Sequence, residues 1–197
     1  VNKTARSVRA AGAARPADRA LVAALVELVL EKRFDAITVQ QVLDRADVGR
    51  TTFYARYRGK DDLLVKSFER MLEGLDHCLS REPGCRRVAP VRELFEHVRA
   101  VGGFHQALSR SRSLDDLYDA GVRQLSTTIA ARLAALPPNR GQDVPVAVMA
   151  RAYSGAVWAL LRWWLEGGPR PTPAEMDRMF HEMVWAARIG HDQAPLS

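Results

Sequence analysis

Residues 36–64 read AITVQQVLDRADVGRTTFYARYRGKDDLL, and this stretch decides the fold. Thr38-Val39-Gln40-Gln41 has the form of a capping box, in which the Thr38 hydroxyl accepts from the backbone three residues on and Gln41 reaches back. The helix it opens is short, because Asp47-Val48-Gly49 interrupts it after about two turns. A second short helix is expected from Arg50 to Tyr57, closed by Gly59. A longer amphipathic helix follows from Asp61-Asp62, with Leu64, Phe68, Met71, Leu72 and Leu75 on its apolar side. Upstream, Pro16 suits a first helical position and Asp18 suits the positive end of the helix dipole. Leu21, Leu25 and Leu28 then share a face with Val22, Val26 and Val29, ending near Arg33-Phe34. Two short helices joined by a Gly-containing turn, with a supporting helix before them, make a three-helix helix-turn-helix unit.

Moving outward, helical periodicity persists almost throughout, while period-two alternation and Asn-Gly or Asp-Gly hairpin signals are missing. Glu82-Pro83-Gly84 ends one element. Further helices are expected at about 90–101, 103–110 and 114–135, and Pro137-Pro138-Asn139-Arg140-Gly141 is a break. Two strong helices close the chain. One spans roughly 144–166, and the other opens at Thr172-Pro173-Ala174-Glu175, a capping box with proline in its first turn. The expected fold is all-α, divided into a basic arm at 1–15, a helix-turn-helix head at 16–60 and a larger helical region at 61–197.

The chain has 197 residues, 47% of them hydrophobic and 26% charged, the balance of a globular protein with a real core. No apolar run approaches the ~20 residues of a membrane span: Gly155–Leu161 stops at Arg162, and Leu21–Leu30 contains Glu27. The first twenty residues hold no apolar block, so a secretory leader is not expected. Cys78 and Cys85 are the two cysteines, a usage that suits a reducing cytoplasm. The net charge of +6 is localised, because residues 1–60 carry 12 Lys and Arg against 6 Asp and Glu while the rest is balanced. A basic module on a neutral body points to a polyanion partner, with a merely solvated basic face as the alternative.

On a helical wheel Phe53 and Tyr57 share one side and can pack on Val39, Val42 and Leu43. The N-terminal end of that helix offers Arg50, Thr51 and Thr52. Arginine binds guanine through O6 and N7, and threonine meets a base edge or a thymine methyl. Tyr54, Arg56, Arg58 and Lys60 bring hydroxyl and cationic donors suited to phosphates. For Tyr54 a core position, and for Arg56 and Arg58 simple solvation, are the competing readings.

The pattern over 36–64 resembles the DNA-binding signature of tetracycline-repressor (TetR) family regulators. The shared marks are Thr at the start of the second helix, Ala-x-Val at the turn, Thr-Phe-Tyr in the third helix, then Tyr, Lys and Leu. With the first helix, the resemblance covers about residues 16–66. It implies base-facing positions at Gln40, Arg50, Thr51 and Thr52, and phosphate-facing positions at Thr38, Tyr54, Arg56 and Lys60. It also implies a homodimer on a palindromic double-stranded operator, and a small-molecule effector that releases it. Three positions depart from the family: Gly49 stands where Ser is frequent, Thr51 where Gly or Pro is frequent, and Arg56 where His is frequent.

One short recognition helix reads few base pairs, so a symmetric pair is expected. Gly155 and Ala159 allow close approach, and Trp163, Met176, Phe180 and Met183 supply apolar area for a dimer interface, with monomer core as the alternative. Phe104, His105, Tyr118, Met149, Tyr153 and Trp158 are candidates to line a pocket for an apolar or aromatic effector, again against plain core. No nucleophile elbow, P-loop or zinc-protease motif occurs, and His77, Cys78 and Cys85 match zinc spacing poorly. No enzyme activity, cofactor or metal is expected. The competing functions are a helical small-molecule-binding or enzymatic protein with a vestigial head, and a helical adaptor using the Trp-rich end.

Overall fold

The computed structural model describes residues 15–80, 86–101, 103, 107–108, 111, 113–137, 144–166 and 171–189. Among them it contains eight α-helices and no strand, as the periodicity predicts. They are α1 (Pro16–Glu31), α2 (Val39–Ala46), α3 (Arg50–Tyr54), α4 (Lys60–Ser80), α5 (Val91–Ala100), α6 (Ser113–Ala134), α7 (Val146–Glu166) and α8 (Pro173–Ile189). A 3-10 turn, Phe34–Ala36, lies between α1 and α2. Residues 1–14 of the basic arm fall outside the described residues, as does most of the helix expected at 103–110.

Two compact units divide the chain. One comprises residues 1–74 and 98–121, the other 75–97 and 122–197. These units cut the chain elsewhere than the functional boundary drawn after residue 60. Leu63 and Leu64 of α4, together with Leu108 and Leu117, are buried in the same core as α1–α3. Three short helices enclose too little apolar surface alone, and α4 and the start of α6 complete their core.

In the first unit α1 begins with Pro16 and buries Leu21, Ala24, Leu25, Leu28 and Val29. This is the three-and-four spacing of one helical face. The capping box of α2 forms as its sequence requires: Gln41 N–H donates to Thr38 Oγ1 at 3.2 Å, and Thr38 N–H donates to Gln41 Oε1 at 3.0 Å. Arg45 of α2 reaches α1 through a two-pronged pair with Glu31, at 2.8 and 3.1 Å.

The α2–α3 turn is made with one left-handed residue. The left-handed residue is Asp47 (φ 52°), whereas Gly49 is extended (φ −68°) and serves as N-cap of α3 without a side-chain hydrogen bond. Aspartate is one of the few side chains that tolerates the left-handed region, so glycine is not needed there. Helix α3 is shorter than expected, ending at Tyr54 rather than Tyr57. Groups from α4 take over the backbone beyond it. Lys66 Nζ donates to the Arg56 carbonyl at 2.9 Å, and Arg58 N–H donates to Asp62 Oδ2 at 2.9 Å.

The second unit is built from long helices. Phe95 meets Trp164 edge-on at 5.2 Å between ring centres, and Tyr153 meets Phe180 at 6.4 Å. The buried Ser154 hydroxyl donates to the Val122 carbonyl at 3.0 Å, and the capping box at Thr172 and Glu175 is complete. A polar cluster ties the segment before α5 to α8. Arg87 holds Glu93 at 2.5 and 2.9 Å and Asp177 at 2.7 and 3.1 Å, while Arg92 N–H adds 3.1 Å to Asp177. Beside it His181 Nε2 accepts from Val88 N–H at 3.0 Å, and Nδ1 lies 2.7 Å from the Asp177 carbonyl. These two contacts fix a neutral imidazole with its proton on Nδ1.

Two expected interface residues require correction. Met176 and Phe180 are fully buried, on the inward face of α8, where the Phe180 ring meets Tyr153. Trp163 (54% exposed), Met183 (49% exposed) and Ala159 do face outward, and Gly155 is half-buried with open space where a Cβ would stand.

Candidate nucleic-acid interface

The short helix α3 is positioned by two aromatic side chains. Phe53 and Tyr57 are buried and 5.5 Å apart between ring centres, inside the cluster that includes Val42 and Leu43, with Val39 packed against it. With that side anchored, Arg50, Thr51 and Thr52 are left exposed, as are Thr38 and Gln40 of the preceding helix and its cap. Tyr54 is 56% exposed, which removes the core reading for it. It stands edge-on to Phe53 at 5.2 Å, so its exposed ring is steered by the buried one. These six side chains offer hydroxyls, one amide and one guanidinium, the set that meets base edges and phosphate oxygens.

The remaining two expected contacts point inward. Lys60 Nζ donates to the carbonyls of Phe34, Asp35 and Ile37 at 2.8, 3.1 and 2.7 Å, and stands 4.7 Å from the centre of the Phe34 ring. An ammonium has three protons, and here each has a carbonyl. In this arrangement Lys60 braces the turn between α1 and α2 and has no donor left for a phosphate. Arg56 is 27% exposed and pairs with Asp18 at 2.7 Å. Tyr57 Oη also donates to Asp18 Oδ1 at 3.1 Å and accepts from Arg70 at 3.1 Å.

Burial alone would raise the Asp18 pKa, but the Arg56 and Tyr57 hydrogen bonds and the nearby guanidinium charges outweigh it and hold the carboxyl below its usual range. Burial pushes the Tyr57 hydroxyl up, against the opposing pull of Arg70. Asp62 is likewise lowered: burial opposes the shift, and the Arg58 N–H and Lys66 overcome it. This web was missed in the sequence. Asp18 is legible there only as a helix-start anion, since its partners lie 38 and 39 residues away. Lys66 and Arg70 gave no local signal beyond the polar face of α4.

Arg50 and Gln40 are joined to each other. Arg50 Nε donates to Gln40 Oε1 at 2.9 Å, Arg50 Nη2 donates to the same oxygen, and Gln40 Nε2 donates to Asp44 Oδ1 at 2.6 Å.

The expected effector-pocket residues are distributed over both units. Tyr118 belongs to the first unit and is 40% exposed. Met149 and Trp158 are buried and Tyr153 half-buried in the second. Phe104 and His105 lie outside the described residues. Among the described residues no His, Cys, Asp and Glu group is arranged to hold a metal, and no helix is long and apolar enough to cross a membrane.

Residues 21–66 match the family described as bacterial regulatory proteins, tetR family. A 58-residue stretch is 38% identical to an uncharacterised HTH-type transcriptional regulator, YdeS, of Bacillus subtilis; it spans 27% of this chain and 29% of that relative. Similar solved structures cover nearly the whole chain at low identity. A putative TetR-family regulator from Syntrophomonas wolfei aligns over 92% of this chain and 98% of its own, with 17% identity and a TM-score of 0.60. The dihydroxyacetone kinase operon activator DhaS aligns over 89% and 97%, with 14% identity and a TM-score of 0.67. A TetR regulator from Streptococcus agalactiae aligns over 85% and 93%, with 22% identity and a TM-score of 0.59. At these identities the structures establish the shared fold.

Proposed function

We propose that this chain, whose residues 21–66 match the tetR family of bacterial regulatory proteins, is a cytoplasmic, dimeric, sequence-specific transcriptional repressor. The observation that carries this reading is α3 itself: Phe53 and Tyr57 are buried while Arg50, Thr51, Thr52 and Tyr54 stay exposed. Thr38 and Tyr54 take phosphates, and Arg50, Thr51 and Thr52 enter the major groove. The exposed Trp163, Met183 and Ala159 supply the contact with a second copy, which sets two recognition helices on a palindrome. A small apolar or aromatic effector bound near Met149, Tyr153 and Trp158 would release the operator. The chain acts by binding, without a catalytic step, cofactor or membrane partner. DhaS, with the same fold, is an activator, so the direction of control is part of the test.

The test is fluorescence anisotropy of the full chain on DNA upstream of its own gene, with scrambled competitor and varied salt, followed by selection from a random duplex library. Competitor-resistant binding at two or four chains per site is expected, and a promoter reporter then gives repression. Arg50→Ala should relax preference at one base pair by about 1–3 kcal/mol. Binding that stays weak and sequence-blind across the whole library would refute the reading.

A further inference from the structure

Gln40 and Arg50 both stand at positions where side chains read bases, yet in the free protein they meet each other. The guanidinium carries five N–H groups in a rigid fork. Gln40 Oε1 takes the Nε proton and one Nη2 proton, which lie along one edge of that fork. The edge left open carries one proton each from Nη1 and Nη2, the pair whose spacing fits O6 and N7 of guanine. A long side chain that is already oriented loses less freedom on binding than one that must be ordered by DNA.

The orientation of Gln40 is itself determined. Asp44, four residues on and so on the same face of α2, accepts from Gln40 Nε2 at 2.6 Å. An ionised carboxylate only accepts, so the amide nitrogen must face Asp44 and the amide oxygen must face Arg50. A glutamine that reads adenine presents both amide ends to the base. Here one end is held by an anion and the other by a cation, both within the protein.

We infer that Gln40 is a positioning residue that sets Arg50 for a guanine in each half-site, and that Gln40 reads no base itself. The inference rests on the DNA-binding reading above and assigns a base to it. Asp44 serves the same end one bond further back.

The test uses the full chain and the operator obtained by library selection. The guanine facing Arg50 is the position whose preference Arg50→Ala abolishes, and it is replaced by 7-deazaguanine, which lacks the N7 acceptor. The wild type should bind the natural operator about tenfold more tightly than the substituted one, the effect of one charge-assisted hydrogen bond. Gln40→Ala should bring that ratio close to one at the same position, and Gln40→Glu, which keeps an acceptor for Nε and Nη2, should restore most of it. In the DNA-free protein, ¹⁵N relaxation of the Arg50 Nε–H should show an ordered group in the wild type and Gln40→Glu, and a mobile one in Gln40→Ala. Two results overturn the inference: Gln40→Ala removing preference at a different base pair with the guanine ratio intact, or an Arg50 Nε–H equally mobile with and without Gln40. A wild type that selects no sequence would defeat the regulator reading instead, and the relaxation arm would still decide the Gln40–Arg50 link.

Discussion

In the unit that carries α1–α3, polar side chains reach for the backbone. Lys60 holds three carbonyls, Lys66 holds the Arg56 carbonyl, Asp62 holds the Arg58 N–H, and Thr38 and Gln41 cap α2. In the unit built from residues 75–97 and 122–197 the main polar cluster centres on side-chain pairs, with Arg87 between Glu93 and Asp177, and takes in backbone groups at its edges, including the Arg92 and Val88 N–H. The difference follows from helix length. Every helix leaves four N–H and four C=O groups without intrahelical partners. Helices of 8 and 5 residues, as α2 and α3 are, are almost all ends, whereas helices of 21 and 17 residues, like α7 and α8, satisfy most of their backbone internally. The head therefore needs side chains to finish its backbone, while the second unit can use them to fix a segment onto a helix.

The largest expected effect tests the second unit. Arg87→Ala leaves Glu93 and Asp177 without their shared cation in a mostly buried setting, and should cost about 3–5 kcal/mol of stability in urea unfolding. A loss below about 1 kcal/mol would show that the cluster is solvated and would erase the contrast.

Next comes the head. Lys60→Met keeps the stem but strips three carbonyls of their donor, and should destabilise it by about 2–3 kcal/mol. The salt slope of DNA binding by the folded variant should stay put. A slope reduced by about one with stability unchanged would return Lys60 to a phosphate contact.

A third effect depends on pH. Burial lowers the His181 pKa below 6.5; Arg87 adds to this, while Asp177 and Glu93 oppose it. Protonation would also turn Nε2 from an acceptor for Val88 N–H into a donor. Because the folded pKa is depressed, the unfolded chain takes up the proton first. Stability is whole above about pH 6.5 and falls as pH drops toward the folded pKa, by up to about 1.4 kcal/mol per pH unit for one proton. His97 is lowered by burial as well, so His181→Gln should flatten the fall seen in unfolding at pH 7.5 and 5.5 without abolishing it. An unchanged slope would place the titration elsewhere.

The smallest effect concerns the cap of α3. No atom stands within 4 Å of where a Cβ on Gly49 would be, and its φ of −68° suits any residue. Gly49→Ser should gain a few tenths of a kcal/mol by hydroxyl capping, about 0.3, seen as a small rise in Tm. A loss would show that α3 needs glycine for a reason other than its cap.

Much of the head was legible in residues 16–64 because its signals are local. A capping box joins positions three apart, Pro16 acts on its own φ, and the Phe53 and Tyr57 pair is one turn of one helix. The opposite handedness of Asp47 and Gly49 was not legible, since either residue is admissible in the left-handed region and their neighbours choose between them. Arg56 and Lys60 read as cations for DNA, and their reassignment depends on Asp18, 38 residues away, and on carbonyls more than twenty residues upstream. Met176 and Phe180 read as interface because apolar periodicity shows that a face is buried without showing against what.

The sequence by itself determined the helices, their caps, the anchored side of α3 and the excess positive charge at the N-terminal end, because those follow from interactions between residues within a turn or two. Only the tertiary structure decided which cations remain free for a polyanion, which apolar residues remain outside, and that Gln40 faces Arg50. Each of those outcomes depends on desolvation and hydrogen bonding by groups far off in the chain, whose distance in space no local pattern records.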